Sequence, residues 1–405
     1  MTWLRNVLDE LADETPQVDL AERTIRIRER RRRTAAWVVA AAAVVVTALG
    51  ATAAVRVLPA GEPVPAADPA TVNDLPARGV GPLSHAYKTF CRPQDGKVPP
   101  GCVDGGWRVV TRDGKTYRVA QALPSLSPYR GAGLRDSPLA ISRDGRKIAY
   151  YGAAHRTFVV RDLASGAEQV APTRVSENWL GSISHLLLSD DGRFLAFAKN
   201  PPLTDPAMLI DLQERMVRPL PNGWNPIGLS ADGGTITLAQ YSPKSRLQTL
   251  TRLWTTSTAG NGRTVNLPKH SLVGPLSPNG KDLFALKSVR VPGMNCGRSG
   301  DDLVRLDPET GKVLRTVPIS GLSMTSNFVY LRGWVNSTEI TALASPFKCA
   351  NEETADDLVE SRLDPSFTPF TAYAVNVKTG KARKLATYTA QDHFYLVIPG
   401  FPGTL

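Results

Sequence analysis

One short turn recurs down this chain and restricts its fold more than any other feature. Ser142-Arg143-Asp144-Gly145 precedes RKIAYY, and Ser189-Asp190-Asp191-Gly192 precedes RFLAFA. Ser230-Ala231-Asp232-Gly233 precedes GTITLA, and Ser277-Pro278-Asn279-Gly280 precedes KDLFAL. A decayed fifth copy, Trp334-Val335-Asn336-Ser337, precedes TEITAL. Asp-Gly and Asn-Gly supply the positive φ that a tight hairpin needs. The Ser hydroxyl accepts a hydrogen bond from a turn amide. The apolar or alternating runs that follow read as strands. Successive copies start 41 to 57 residues apart, the length of one four-stranded propeller blade with its loops.

A second hairpin follows each copy, at 159–170, 209–220, 253–267, 303–317 and 373–386. A sixth, WRVVTRDGKTYRVA at 107–120, precedes the first Ser-turn. The missing first hairpin is expected within 80–90, with the strand-like 393–400 joining it to close the ring. The fold class is therefore all-β: a six-bladed β-propeller over 79–405, with seven blades the alternative. Trp and Tyr at blade positions are expected in the core.

The pattern S-x-D-G-[RK]-x-[IL]-A-[YF] resembles the repeat of TolB-type propellers, relatives of the WD-repeat class. The resemblance spans roughly 79–400 and implies a propeller fold, while the motif is hardly specific for function. The WD dipeptide itself is missing, and copies three to five drift from the pattern.

Upstream lies a different kind of sequence. Residues 35–55 read AAWVVAAAAVVVTALGATAAV without a charge, long enough to span a bilayer core as a helix. Residues 34–57 are expected to form a transmembrane helix. Arg30, Arg31, Arg32 and Arg33 abut it, which by the positive-inside rule places the N-terminus in the cytoplasm. Ala51-Thr52-Ala53 resembles a cleavage site, so a cleaved signal is the alternative to an uncleaved signal-anchor. Residues 1–33 form a short cytoplasmic arm, with Trp3, Leu4, Val7, Leu8 and Leu11 at helical spacing. Residues 58–78 form a Pro/Ala-rich linker, extended and semi-rigid. The expected location is the plasma membrane, single-pass, with the propeller extracytoplasmic.

The formal charge is +11, and residues 1–34 nearly balance, with eight Arg against seven Asp and Glu. The excess therefore sits beyond the apolar segment and favours anionic neighbours. No nucleic-acid partner is expected, because an Arg run against a membrane span is an orientation signal.

All four cysteines, Cys91, Cys102, Cys296 and Cys349, follow the apolar segment, as suits an oxidising compartment. Proximity favours Cys91–Cys102 and then Cys296–Cys349, with zinc as the alternative. If strands one and two meet at each Ser-turn, the strand-two-to-three connections leave from the opposite face. All four cysteines fall in such connections, and so do the two longest insertions, 289–302 and 346–370. The second insertion carries Glu352, Glu353, Asp356, Asp357, Phe367 and Phe370, the candidate partner face.

No catalytic residue, metal site or cofactor is assigned. The five His lack metal spacing, no G-x-S-x-G elbow occurs, and no phosphate loop is present. The expected function is a membrane-anchored interaction or scaffold propeller that binds a protein or an envelope polymer. The alternatives are a signalling link whose cytoplasmic arm docks a regulator, and an envelope glycan hydrolase using carboxylates on distant loops.

Overall fold

The computed structural model describes residues 72–89, 105–125, 136–180, 183–200, 207–241, 250–257, 262–267, 271–290, 297–324, 327–346, 370–388 and 396–400. They fall in one unit, Ala66–Leu405; the other unit, Met1–Pro65, lies outside them. The arm and the apolar segment therefore lie outside the described residues, as do the four cysteines. Among the described residues no helix is long and apolar enough to cross a membrane.

Six antiparallel sheets follow one another along the chain. The first holds β1 (Leu83–Lys88), β2 (Trp107–Thr111) and β3 (Thr116–Arg118). The second holds β4 (Leu139–Ile141), β5 (Lys147–Gly152), β6 (Thr157–Asp162) and β7 (Glu168–Val170). The third runs through β8 (Ile183–Leu188), β9 (Phe194–Asn200), β10 (Met208–Asp211) and β11 (Met216–Pro219). The fourth comprises β12 (Asn225–Leu229), β13 (Thr235–Tyr241), β14 (Leu250–Ser257) and β15 (Gly262–Asn266). The fifth comprises β16 (Ser271–Val273), β17 (Leu283–Arg290), β18 (Gly297–Leu306) and β19 (Val313–Pro318). The sixth comprises β20 (Asn327–Trp334), β21 (Glu339–Pro346), β22 (Phe370–Asn376) and β23 (Ala382–Tyr388).

Each of sheets two to six pairs its strands in chain order, so each is one blade. The first sheet has three named strands and takes its innermost from the far end of the chain. Val397 bridges Ala86 antiparallel, with Ala86 N donating to Val397 O at 2.7 Å and Val397 N to Ala86 O at 2.8 Å. The expected hairpin within 80–90 is thus a single strand, β1, and its partner comes from the C-terminal segment. This closure makes a six-bladed β-propeller.

The packing explains the apolar strands. Side chains alternate between the two faces of a strand, and the middle strands of a blade are buried on both faces by its neighbours, while outer strands such as β7 and β11 are exposed. On β9, Leu195 and Phe197 join a core with Phe158 and Tyr151 of the second blade. The intervening Phe194, Ala196 and Ala198 join a core with Leu229, Ile236 and Leu238 of the fourth. Six such clusters fill the six interfaces between successive blades. The last one packs Leu396 and Ile398 against Leu343, Ala372 and Tyr388, sealing the sixth blade to the first. Trp107, Tyr150, Tyr151 and Trp334 are all buried.

The Ser-turns repeat one hydrogen-bond pattern. Ser142 Oγ accepts from Lys147 N at 2.9 Å and donates to Asp144 Oδ1 at 2.7 Å, and Asp144 Oδ1 accepts from Arg146 N at 2.9 Å. Ser189 with Asp191, Ser230 with Asp232, and Ser277 with Asn279 do the same. Gly145 has φ +77°, and a Cβ there would sit 2.5 Å from Leu83 O, so the turn needs glycine for conformation and for clearance. The insertion at 289–302 proves to be largely strand: β17 and β18 stay paired out to Arg290 and Gly297.

Candidate functional site

The inner strands β4, β8, β12, β16 and β20 and residues 396–398 surround the propeller axis, and the Ser-turns gather at one end of it. The second turn residue of each copy lies there: Arg143, Asp190, Ala231, Pro278 and Val335. Arg143 N donates to Asp190 Oδ1 at 3.2 Å, and its Nη1 lies 3.3 Å from Asp190 Oδ2. Asp190 N donates to Ala231 O at 3.0 Å and Ala231 N to Pro278 O at 3.1 Å. The series stops at Pro278, which has no N–H. One side of this mouth is therefore an ion pair. The other is apolar, with Val335 37 % exposed. Burial pushes the Asp190 carboxyl above its ordinary range, and Arg143 pulls it back down.

At the opposite end, three blades are pinned by one carboxylate. Lys88, at the end of β1, pairs with Asp136, and neither side chain has any exposed surface. Asp136 Oδ2 accepts from Ser184 N of β8 at 2.7 Å. The Lys88 ammonium lies 4.8 Å from the centre of the Trp107 ring, whose Nε1 donates to Ser137 O at 2.9 Å. Burial pulls the Lys88 ammonium down from its usual range, and Asp136 opposes that pull. Next to Ser184, His185 is held below the usual imidazole range by burial, with Asp136 opposing and Arg332 of β20 adding to the depression. Arg332 occupies the bulge between Leu331 and Gly333 and lies over the Tyr330 ring at 4.8 Å.

These charges answer one another inside the fold. A pair with no exposed surface cannot exchange protons with a substrate, so Lys88 and Asp136 act as a pin. Among the described residues, no group of three His, Cys, Asp or Glu converges on a possible metal position.

The strand order places the sequence-assigned face. Cys91 and Cys102 lie between β1 and β2, Cys296 between β17 and β18, and Cys349 between β21 and β22. Each is a strand-two-to-three connection, in blades one, five and six, which are consecutive around the closed ring. Glu352, Glu353, Asp356, Asp357 and Phe367 share the β21–β22 connection and lie outside the described residues, as do the cysteines and both candidate pairings. Phe370 opens β22 and packs, half-buried, against the core that seals blade six to blade one.

Sequence reasoning missed Lys88, Asp136, Arg143, Asp190 and Arg332. A signal existed for one pair, since Arg143 and Asp190 are opposite charges at the same turn position in successive repeats.

No family model matches the chain, and no curated protein matches it. Solved structures do match. TolB from Acinetobacter baumannii is 16 % identical, over 80 % of this chain and 67 % of that one, with a TM-score of 0.40. The putative TolB from Agrobacterium tumefaciens is 13 % identical, over 80 % and 92 %, with a TM-score of 0.41. The hydrazine synthase of Kuenenia stuttgartiensis is 16 % identical, with a TM-score of 0.36; the match covers 61 % of this chain and 64 % of that one, under two thirds of its length. The likeness is one of fold. The blade count rests on the sheets themselves.

Proposed function

We propose that this chain is a membrane-tethered interaction module whose propeller holds a protein partner outside the plasma membrane. In this reading residues 34–57 span the bilayer, residues 1–33 stay in the cytoplasm, and the linker sets the propeller off the surface only ahead of residue 72. Beyond it, Asn73 and Leu75 hydrogen-bond Arg118 of β3, and Leu75 is buried in the core between the first and second blades. One observation carries the partner face. The connections that bear the cysteines and the acidic insertion leave the same end of three consecutive blades, five, six and one. Binding is favoured over catalysis because the described charges near the axis are engaged with each other, Lys88 with Asp136 and Arg143 with Asp190.

The test is crosslinking and identification on the full chain in its native membrane. It compares the parent with a variant carrying Glu352→Gln, Glu353→Gln, Asp356→Asn and Asp357→Asn. A third chain lacks residues 1–33 and carries a substitute basic orientation signal. The expected result is one crosslinked protein that persists without the arm and is lost in the neutralised variant. A partner lost with the arm and kept by the neutralised variant overturns this reading in favour of a signalling link.

A further inference from the structure

The fourth strand of each blade, at the outer wall, shows a pattern that the axis does not. Where each second hairpin turns into that strand, residues 115–118 read KTYR, 215–218 RMVR, 263–266 RTVN, 312–315 KVLR and 381–384 KARK. Only the second blade departs, with AEQV at 167–170. Among the described outer strands β3, β7, β11, β15, β19 and β23, the one acidic residue is Glu168. The basic blades are the third, fourth, fifth, sixth and first, an unbroken run around the closed ring.

Edge strands use charge, Lys above all, to block pairing with other chains, whereas Arg outnumbers Lys in these segments and its planar fork pairs with phosphate oxygens two at a time. Here the sign is almost uniform, which points to an anionic ligand. Part of the charge is already answered: Lys115 lies 3.0 Å from Asp113 and Arg118 2.5 Å from Asp74, which engages both basic residues of the first blade's segment, and Arg383 lies 2.8 Å from Glu339. Arg315, Lys381 and Lys384 are exposed, and no carboxylate among the described residues pairs with them. A flat membrane meets only the blades that face it, whereas the exposed Arg215, Arg218, Lys312, Arg315, Lys381 and Lys384 lie on the third, fifth and sixth blades, and the third and sixth lie across the ring from each other. A flexible polymer can follow the curve of the wall.

We propose that the outer wall is a binding track for a linear polyanion of repeating phosphate groups, laid across the edges of successive blades. The track is separate from the strand-two-to-three face and does not depend on it. Binding by such a track weakens with salt in proportion to the number of phosphates neutralised.

The experiment titrates the purified full chain with long-chain inorganic polyphosphate over a series of salt concentrations. The track variant carries Lys312→Gln, Arg315→Gln, Lys381→Gln and Lys384→Gln. The control variant neutralises four exposed basic residues off the track: Arg146→Gln, Arg174→Gln, Lys281→Gln and Lys287→Gln. The track variant is expected to bind roughly tenfold or more weakly at low salt, with a log–log salt slope shallower by about 3, at about 0.7 per phosphate contact. The control is expected to stay near the parent. Glu168→Lys, which extends the basic run into the second blade, is expected to tighten binding, and that gain does not depend on the quadruple variant folding. Equal weakening by both quadruple variants, or binding to phosphatidylglycerol vesicles without binding to polyphosphate, overturns the proposal. So does aggregation of the track variant with no gain from Glu168→Lys, which would make the charges edge protection alone.

Discussion

Removing Asp136 leaves the Lys88 ammonium buried without its partner, so Asp136→Ala is expected to cost about 3–5 kcal/mol in denaturant unfolding. Lys88→Met with Asp136→Asn discards both charges and keeps an oxygen for Ser184 N. It is expected to cost much less than the single change, and equal costs would show that the pin acts by shape alone. His185 gives a pH test. Its folded pKa lies below the unfolded value of about 6.5, so in the window just below 6.5 the unfolded chain binds the proton and the folded chain does not. Stability is then complete above that window and is lost as pH falls through it. His185→Gln is expected to flatten the fall in Tm between pH 7 and pH 5, and an unchanged profile would assign the fall to other groups. None of these residues stood out in the sequence. Lys88 and Asp136 belong to different blades and meet only when those blades pack, and Arg332 reaches the axis through a bulge that no local pattern announces. The Ser-turns were legible because all their hydrogen bonds close within six residues, from Ser142 to Lys147 in the first copy.

Among the elements, the C-terminal segment has the largest effect for its size. Val397 is fully buried between the first and second blades, while Leu396 and Ile398 turn toward the sixth. Val397→Pro removes the N–H that Ala86 O accepts from and leaves that carbonyl buried, at a cost of about 1–3 kcal/mol. Deleting residues 396–405 is expected to abolish a single cooperative melting transition, because the sixth interface loses one wall. A cooperative melt from the truncated chain would show that five interfaces suffice. The sequence suggested a strand at 393–400 and misjudged 80–90 as a hairpin. A hairpin pattern is local, whereas this pair is split between the two ends of the domain. The second hairpins were readable throughout, since their inner arms such as β6 and β10 are buried and run apolar and their turns carry Gly or a short polar loop, although their outer arms β7, β11 and β19 are mostly exposed.

For the whole molecule, the first question is sidedness. The proposed topology predicts that, in intact cells, an impermeant maleimide labels Ser165→Cys on an exposed hairpin of the second blade and leaves Thr2→Cys unlabelled until the membrane is opened. Labelling of both, or of Thr2→Cys alone, refutes it. The ring closure also bears on how the chain is made. Synthesis delivers the blades in order, and until residues 396–398 arrive the first and sixth blades keep unsealed apolar faces. A chain that stops early therefore has no state in which those faces are covered, however well its earlier blades pack. The clasp follows every other strand of the ring in the chain, so its closure reports that all six blades have been made.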